Sequence, residues 1–203
     1  MKILKIIIQT IVILTLLIAI VGWFLPREVE VYRETTIHAP MEQVYAVVND
    51  MTQMNSWSPW HKIDPDGTTY TFEGPAAGIG SKMNWASEHK EVGTGSQEII
   101  ETRFPSYVKT KMMFGGFDAP SYATFILNEF EGNTEVKWVF ETDYGSNPFF
   151  HYFSLFMDSM LGSTFEEGLA NLKQTVESMP IEAEELDMSI DKDSIAVDST
   201  QTM

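Results

Sequence analysis

The chain contains no cysteine. Disulfides, thiolate zinc sites and cysteine nucleophiles are therefore excluded, while any compartment remains compatible. Positive charge is scarce: 13 Lys and Arg stand against 29 Asp and Glu, a formal net charge of −16. Nucleic-acid binding needs Lys and Arg to neutralise phosphates, so the balance argues strongly against that class of partner. It argues equally against docking of a soluble part on anionic lipid by charge alone. The four histidines, His38, His61, His89 and His151, have no ligand partner at i+3 or i+4, so a metal signature is missing. The sequence has no Gly-x-Ser-x-Gly elbow, no phosphate-binding loop and no His-Glu-x-x-His. Two Gly-x-Gly pairs, Gly78-x-Gly80 and Gly93-x-Gly95, lack the remainder of a dinucleotide fingerprint and precede expected strands. No cofactor and no metal are expected, and no internal repeat is visible.

Apolar residues make up 44% of 203 residues, enough for one domain with a substantial core. From Ile6 to Leu25 the chain is almost wholly apolar, broken by Gln9, Thr10, Thr15 and Gly22. At ~1.5 Å per residue, about 20 helical residues cross the hydrocarbon core of a bilayer. Lys2 and Lys5 precede the run and Trp23 lies at its far end, which suits an uncleaved anchor with its N-terminus inside. Arg27 and Arg33, beyond the run, oppose that orientation. A cleaved signal peptide is the alternative, although the run is long for one and Ala-Ile-Val-Gly-Trp is a poor cleavage site.

The pattern then predicts a strand over 28–37, with Val29, Val31, Arg33, Thr35 and Ile37 on one side. Pro40 opens a helix reaching about Asp50, with Glu42 and Gln43 in its first turn and Val44, Val47, Val48 and Met51 on one face. A short second helical turn is expected over 52–57, and a turn at Asp64-Pro-Asp-Gly67. Strand-like runs follow at 69–73, 82–88, 95–103, 107–114, 121–130 and 134–142. Aromatic and methionine residues crowd 148–161. Gly162-Ser163 is expected to interrupt that run, and Ser163-Thr-Phe-Glu166 reads as a capping box opening a final helix that Pro180 ends. Residues 181–203 are acidic and aperiodic, as in a solvated tail.

Several of these features occur together in one family. The segment Ala39-Pro40-x-x-x-Val44-Tyr45, the Trp57-Ser58-Pro59-Trp60 that follows, and Gly78-x-Gly80 before a strand holding Trp85 come first. Gly93-x-Gly95, Thr134-x-Val136-x-Trp138 and Phe165-x-x-Gly168-Leu169-x-x-Leu172 complete the set. The chain resembles the START-like SRPBCC superfamily of polyketide cyclases/dehydrases and lipid-transport proteins over about 28–179. The resemblance implies an α+β helix-grip fold, a six- to seven-stranded antiparallel sheet wrapped around a long C-terminal helix, here preceded by one transmembrane helix. The implied organisation is an anchor over 1–26, the START-like domain over 27–180 and the tail over 181–203.

The same resemblance implies an apolar cavity between helix and sheet. Its candidate lining is Trp57, Trp60, Trp85, Met112, Phe114, Trp138, Phe165, Gly168, Leu169 and Leu172. Each is equally a core-packing residue. Gly168 stands out, since glycine inside a helix costs ~1 kcal/mol relative to alanine and can admit a strand or a ligand. The hairpin Met112-Met-Phe-Gly-Gly-Phe117 is a portal, a loop that dips into the bilayer, or an ordinary hairpin whose Met and Phe residues pack inward. The 148–161 run is either buried against the sheet or a membrane-facing lid. His61 near Asp64 and Asp66 is an acid/base grouping or a solvated turn, and the faces of Glu73, Glu88 and Asp118 are unassigned. Three functions follow. One is a membrane-tethered module binding a hydrophobic small molecule or lipid, the preferred one. The others are a cyclase/dehydrase-like enzyme, which needs a polar group inside an apolar cavity, and an envelope interaction or assembly protein.

Overall fold

The computed structural model describes residues 1–180; the expected tail over 181–203 lies outside the described residues. Helix α1 (Lys2–Phe24) covers the apolar run. It is long and apolar enough to cross a membrane, and Gly22 is its one buried residue.

Seven strands follow: β1 (Glu28–Ile37), β2 (Thr69–Glu73), β3 (Lys82–Ala86), β4 (Thr94–Arg103), β5 (Tyr107–Phe114), β6 (Ser121–Phe130) and β7 (Asn133–Asp143). They form one antiparallel sheet in the order β1-β7-β6-β5-β4-β3-β2. Between β1 and β2 come α2 (Met41–Val48), α3 (Met54–Trp57) and 3-10 turns at Met51–Gln53 and Pro59–Lys62. Four strands have the bounds that alternation predicts. Strand β3 stops at Ala86, two residues short of the expected end, where the Ser87 N–H turns to the Gly93 carbonyl.

Helix α4 (Met157–Glu177) lies across the concave face, packed chiefly on β1, α3 and the Pro59–Lys62 turn. Here the sequence expectation is corrected. The helix starts six residues before Ser163 and runs through Gly162-Ser163, so there is no capping box. The reason is an arginine on the facing strand. The Arg33 guanidinium lies against the Gly162 Cα, where a Cβ would collide with it. Its Nε donates to the Glu166 carboxylate at 2.8 Å and its Nη1 to Asp158 at 2.9 Å. Glu166 thus serves an ion pair between β1 and α4 instead of a cap, and Asp158 sits in the first turn of α4, where the helix dipole favours acid.

The core lies between sheet and helices. Ile37, Val44, Val47, Ile99, Phe125, Leu127, Val136, Leu172 and Val176 are all closed to solvent. Thr134 is buried with them, and its hydroxyl donates to the Ala39 carbonyl at 2.8 Å, tying β7 to the start of α2. The 148–161 run is not buried against the sheet. A 3-10 segment (Phe150–Leu155) leads into α4, and most of its large apolar side chains face outward.

Candidate functional site

Strand register sorts the concave face into rows. One row runs Arg33, Trp138, Phe125 from β1 to β6. The next runs Val31, Phe140, Ala123, Thr110, Ile99. A third runs Thr142, Ser121, Met112, Gln97, Met83, Phe72, and on the far strands Phe114, Gly95, Trp85 and Tyr70 share a fourth. Helix α4 covers the β1 side, so the candidate residues divide into two groups.

The first group is closed. Trp138 stacks on Phe165 with centroids 4.1 Å apart and planes 8° from parallel, and on its other flank meets Phe125 at 5.1 Å. Trp57 meets Trp138 edge-on at 5.5 Å. Such pairs contribute ~0.5–1.5 kcal/mol each beyond area burial. A Cβ on Gly168 would lie 2.7 Å from the Trp138 ring and 3.3 Å from the Pro59 Cδ. The glycine therefore admits an indole from the sheet. Leu169 and Leu172 complete the packing, fully buried. Six of the ten candidates, Trp57, Trp138, Phe165, Gly168, Leu169 and Leu172, thus fill the grip by packing on one another. Among the described residues the indole N–H groups of Trp57 and Trp138 find no acceptor; such buried donors cost ~1–3 kcal/mol.

The second group is half open. Trp60, Trp85, Met112 and Phe114, joined by Tyr70, are partly buried and rest against the core. Trp85 lies over Gly95, where any Cβ would strike the indole. Its Nε1 donates to the Val92 carbonyl at 3.2 Å and its ring meets Phe114 edge-on at 5.9 Å. Trp60 bridges the two groups, reaching Trp138 at 6.0 Å and Phe165 at 6.1 Å. Beneath this surface Gln97, 2% exposed, donates through Nε2 to the Thr110 hydroxyl at 2.9 Å, which in turn donates to the Ala123 carbonyl. The sequence reading did not single out Tyr70, Gln97 or Thr110. Gln97 alternates with Ile99, and that shared face was the available signal. Burial pushes the Tyr70 phenol up, and its oxygen lies 3.4 Å from the His61 Nδ1.

Apart from His61, the titratable candidates are carboxylates that are exposed or already engaged. Glu73 is exposed and accepts from Asn84 and Lys82 across β2 and β3; the Asn84 amide holds its carboxyl below the ordinary range. Glu88 and Asp118 are exposed. Asp64 accepts from the Ser87 hydroxyl and the Gly67 N–H, which makes it a turn-fixing residue. An open depression of about 390 Å³ lies at the β1 edge, lined by Glu30, Val31, Tyr32, Arg33, Glu34 and Asp158. Arg33 pairs there with Asp158, whose carboxyl its hydrogen bonds hold below the usual range, and Glu34 pairs with Lys137.

A seven-stranded antiparallel sheet closed on a long C-terminal helix, with an aromatic concave face, defines a helix-grip domain of the START-like superfamily. The family model for polyketide cyclase/dehydrase and lipid transport matches residues 28–177, and the chain belongs to that family. A comparison with curated proteins returns no match. Solved structures share the fold. A protein of unknown function from Staphylococcus aureus is 13% identical with a TM-score of 0.56, over 74% of this chain and 94% of its own. A protein from Thermobifida fusca is 15% identical with a TM-score of 0.54, over 75% and 95%. The Aha1 dimer from Colwellia psychrerythraea is 16% identical with a TM-score of 0.53, over 74% and 97%.

Proposed function

We propose that the chain is a membrane-tethered binding module that holds a hydrophobic small molecule or lipid on the open side of its grip. In this account residues 1–26 are the anchor and 27–180 the binding domain, on the extracytoplasmic side as Lys2 and Lys5 direct. The observation that carries the proposal is the half-buried group of Trp60, Tyr70, Trp85, Met112 and Phe114, aromatic and methionine side chains resting on a packed core. Rigid aromatic faces and an adaptable thioether suit a ligand of irregular apolar shape. Burial of such a ligand contributes ~25 cal/mol per Å² before ordering costs. Gln97, whose Nε2 gives one hydrogen to Thr110, supplies a neutral polar group for one ligand oxygen.

A cyclase-like enzyme is less well supported, because the candidate carboxylates are exposed or, for Asp64, taken up by Ser87 and Gly67. Native mass spectrometry of the full chain purified from cells, combined with solvent extraction, tests the proposal. The expected result is a co-purifying apolar species that is lost in the W85A/F114A double variant. An empty chain, or a species retained by that variant, overturns it.

A further inference from the structure

Helix α1 is docked onto the domain, and the docking sits on the most exposed apolar part of the fold. The Gly22 Cα lies against the Pro148 carbonyl, close enough that a Cβ would collide with it. The buried His151 ring lies between two carbonyls, with Nδ1 2.9 Å from the Gly22 oxygen and Nε2 2.9 Å from the Gly145 oxygen. The Tyr152 hydroxyl reaches further along α1 and donates to the Ile18 carbonyl at 2.8 Å. Ile18 is six residues before Phe24. At the helical rise of ~1.5 Å per residue, that contact lies about 9 Å inside the end of the apolar helix.

Around these contacts Phe149, Phe150, Phe153, Leu155, Phe156 and Met160 are between 45% and 60% exposed. Trp23 and Phe24, at the adjoining end of α1, are 68% and 83% exposed. This is a contiguous apolar surface of the kind soluble domains rarely leave in water. Its occupant follows from the helix to which it is joined. If α1 spans a bilayer, a segment that touches Ile18 must enter the same leaflet. The depth of about 9 Å matches the ~5–10 Å to which interfacial apolar surfaces insert.

We propose that residues 149–160 form a membrane-insertion surface. It sinks into the headgroup and upper acyl region beside α1 and fixes the domain in one pose on the leaflet. The proposal rests on the tether described above. Insertion is driven by apolar burial, since the patch carries no Lys or Arg and the chain is strongly acidic. It therefore does not depend on anionic lipid. The clamp of Gly22, His151 and Tyr152 removes the swivel that an anchor alone would allow. The open side of the grip is held at a constant distance from the lipid that would supply it.

The absence of cysteine makes the test direct. Single-cysteine variants F150C, F153C and F156C of the full chain are labelled with an environment-sensitive fluorophore and reconstituted in phosphatidylcholine vesicles carrying lipid-borne quenchers. I13C reports on the span, and F104C, at a residue 70% exposed on the domain, serves as the water control. The expected result is quenching at 150, 153 and 156 by shallow quenchers, at 13 by deep quenchers, and none at 104. The quenching should be unchanged when phosphatidylglycerol is added.

Deep quenching at 13 without quenching at 150, 153 and 156 overturns the insertion surface and leaves the tether standing. No quenching at 13 overturns both. Fluorescence at 150–156 that is blue-shifted without lipid quenching, and that depends on protein density, assigns the patch to a second copy of the chain and overturns the proposal.

Discussion

The two halves of the concave face are built from the same kinds of residue and end in opposite states. On the β1 side, Trp57, Trp138, Phe165 and Leu169 are buried by α4 and by one another. On the β2–β5 side, Trp85, Met112 and Phe114 lie away from α4 and stay half open, and Trp60, which meets Phe165 of α4, stays half open at the border between the halves. The difference shows that aromatic content alone does not make a pocket. What separates the halves is where the covering helix lies, and that is set by the Arg33 pairs to Asp158 and Glu166 and by the room Gly168 leaves for Trp138. The family's grip is present, and its deep part is occupied by protein.

The largest effect that separates the halves is expected at Trp138. W138A removes the centre of the stack and should cost about 3–5 kcal/mol in a denaturant titration, as for large aromatic truncations in packed cores. A loss below about 1 kcal/mol would mean that the stack is loose and that the deep part of the grip is available to a ligand. G168L is next. Its side chain must displace the Trp138 ring, and overpacking of this kind costs about 1–3 kcal/mol. Melting temperature should fall, and uptake of an apolar probe should fall only in proportion to unfolded chain.

The W85A/F114A variant inverts that pattern. Both side chains are partly exposed, so stability should change by less than either core variant, while affinity for a fluorescent fatty acid drops at least tenfold. Unchanged affinity would erase the distinction between the halves.

The smallest effect concerns the far end of α4. Glu177 accepts from the His38 backbone N–H at 2.7 Å and from its ring Nδ1, with Lys173 nearby. Chiefly the backbone N–H, then the ring and Lys173, hold its carboxyl below the ordinary range. A carboxyl lowered in the folded state stabilises the fold above the unfolded value, about 4.3, and that contribution is lost as pH falls through the lowered folded value. E177Q should therefore lose less stability than the parent between about pH 5 and pH 3. Parallel pH profiles would show that the carboxylate does not pin the helix.

Much of this was legible in the chain. Alternation placed β1, β2, β5 and β6 at their observed bounds, because each pairs on a sheet with one apolar face. The ordered family motifs gave the fold. The start of α4 was misplaced because glycine and serine signal a break only when nothing fills the space that glycine leaves; here Arg33, from the other end of the domain, fills it. The division of the ten candidate residues was also illegible, since periodicity gives a face and not the helix that covers it. The His151 contact with Gly22 spans 129 residues and leaves no local pattern at all.

The most direct test is photolabelling of the detergent-solubilised full chain with a diazirine-bearing fatty acid, mapped by peptide mass spectrometry. The account predicts adducts on Tyr70, Trp85, Met112 or Phe114, competed away by unlabelled fatty acid and absent from Trp138, Phe165 and Leu172. Adducts confined to α1 and residues 149–160, with none on the β2–β5 face, would contradict it.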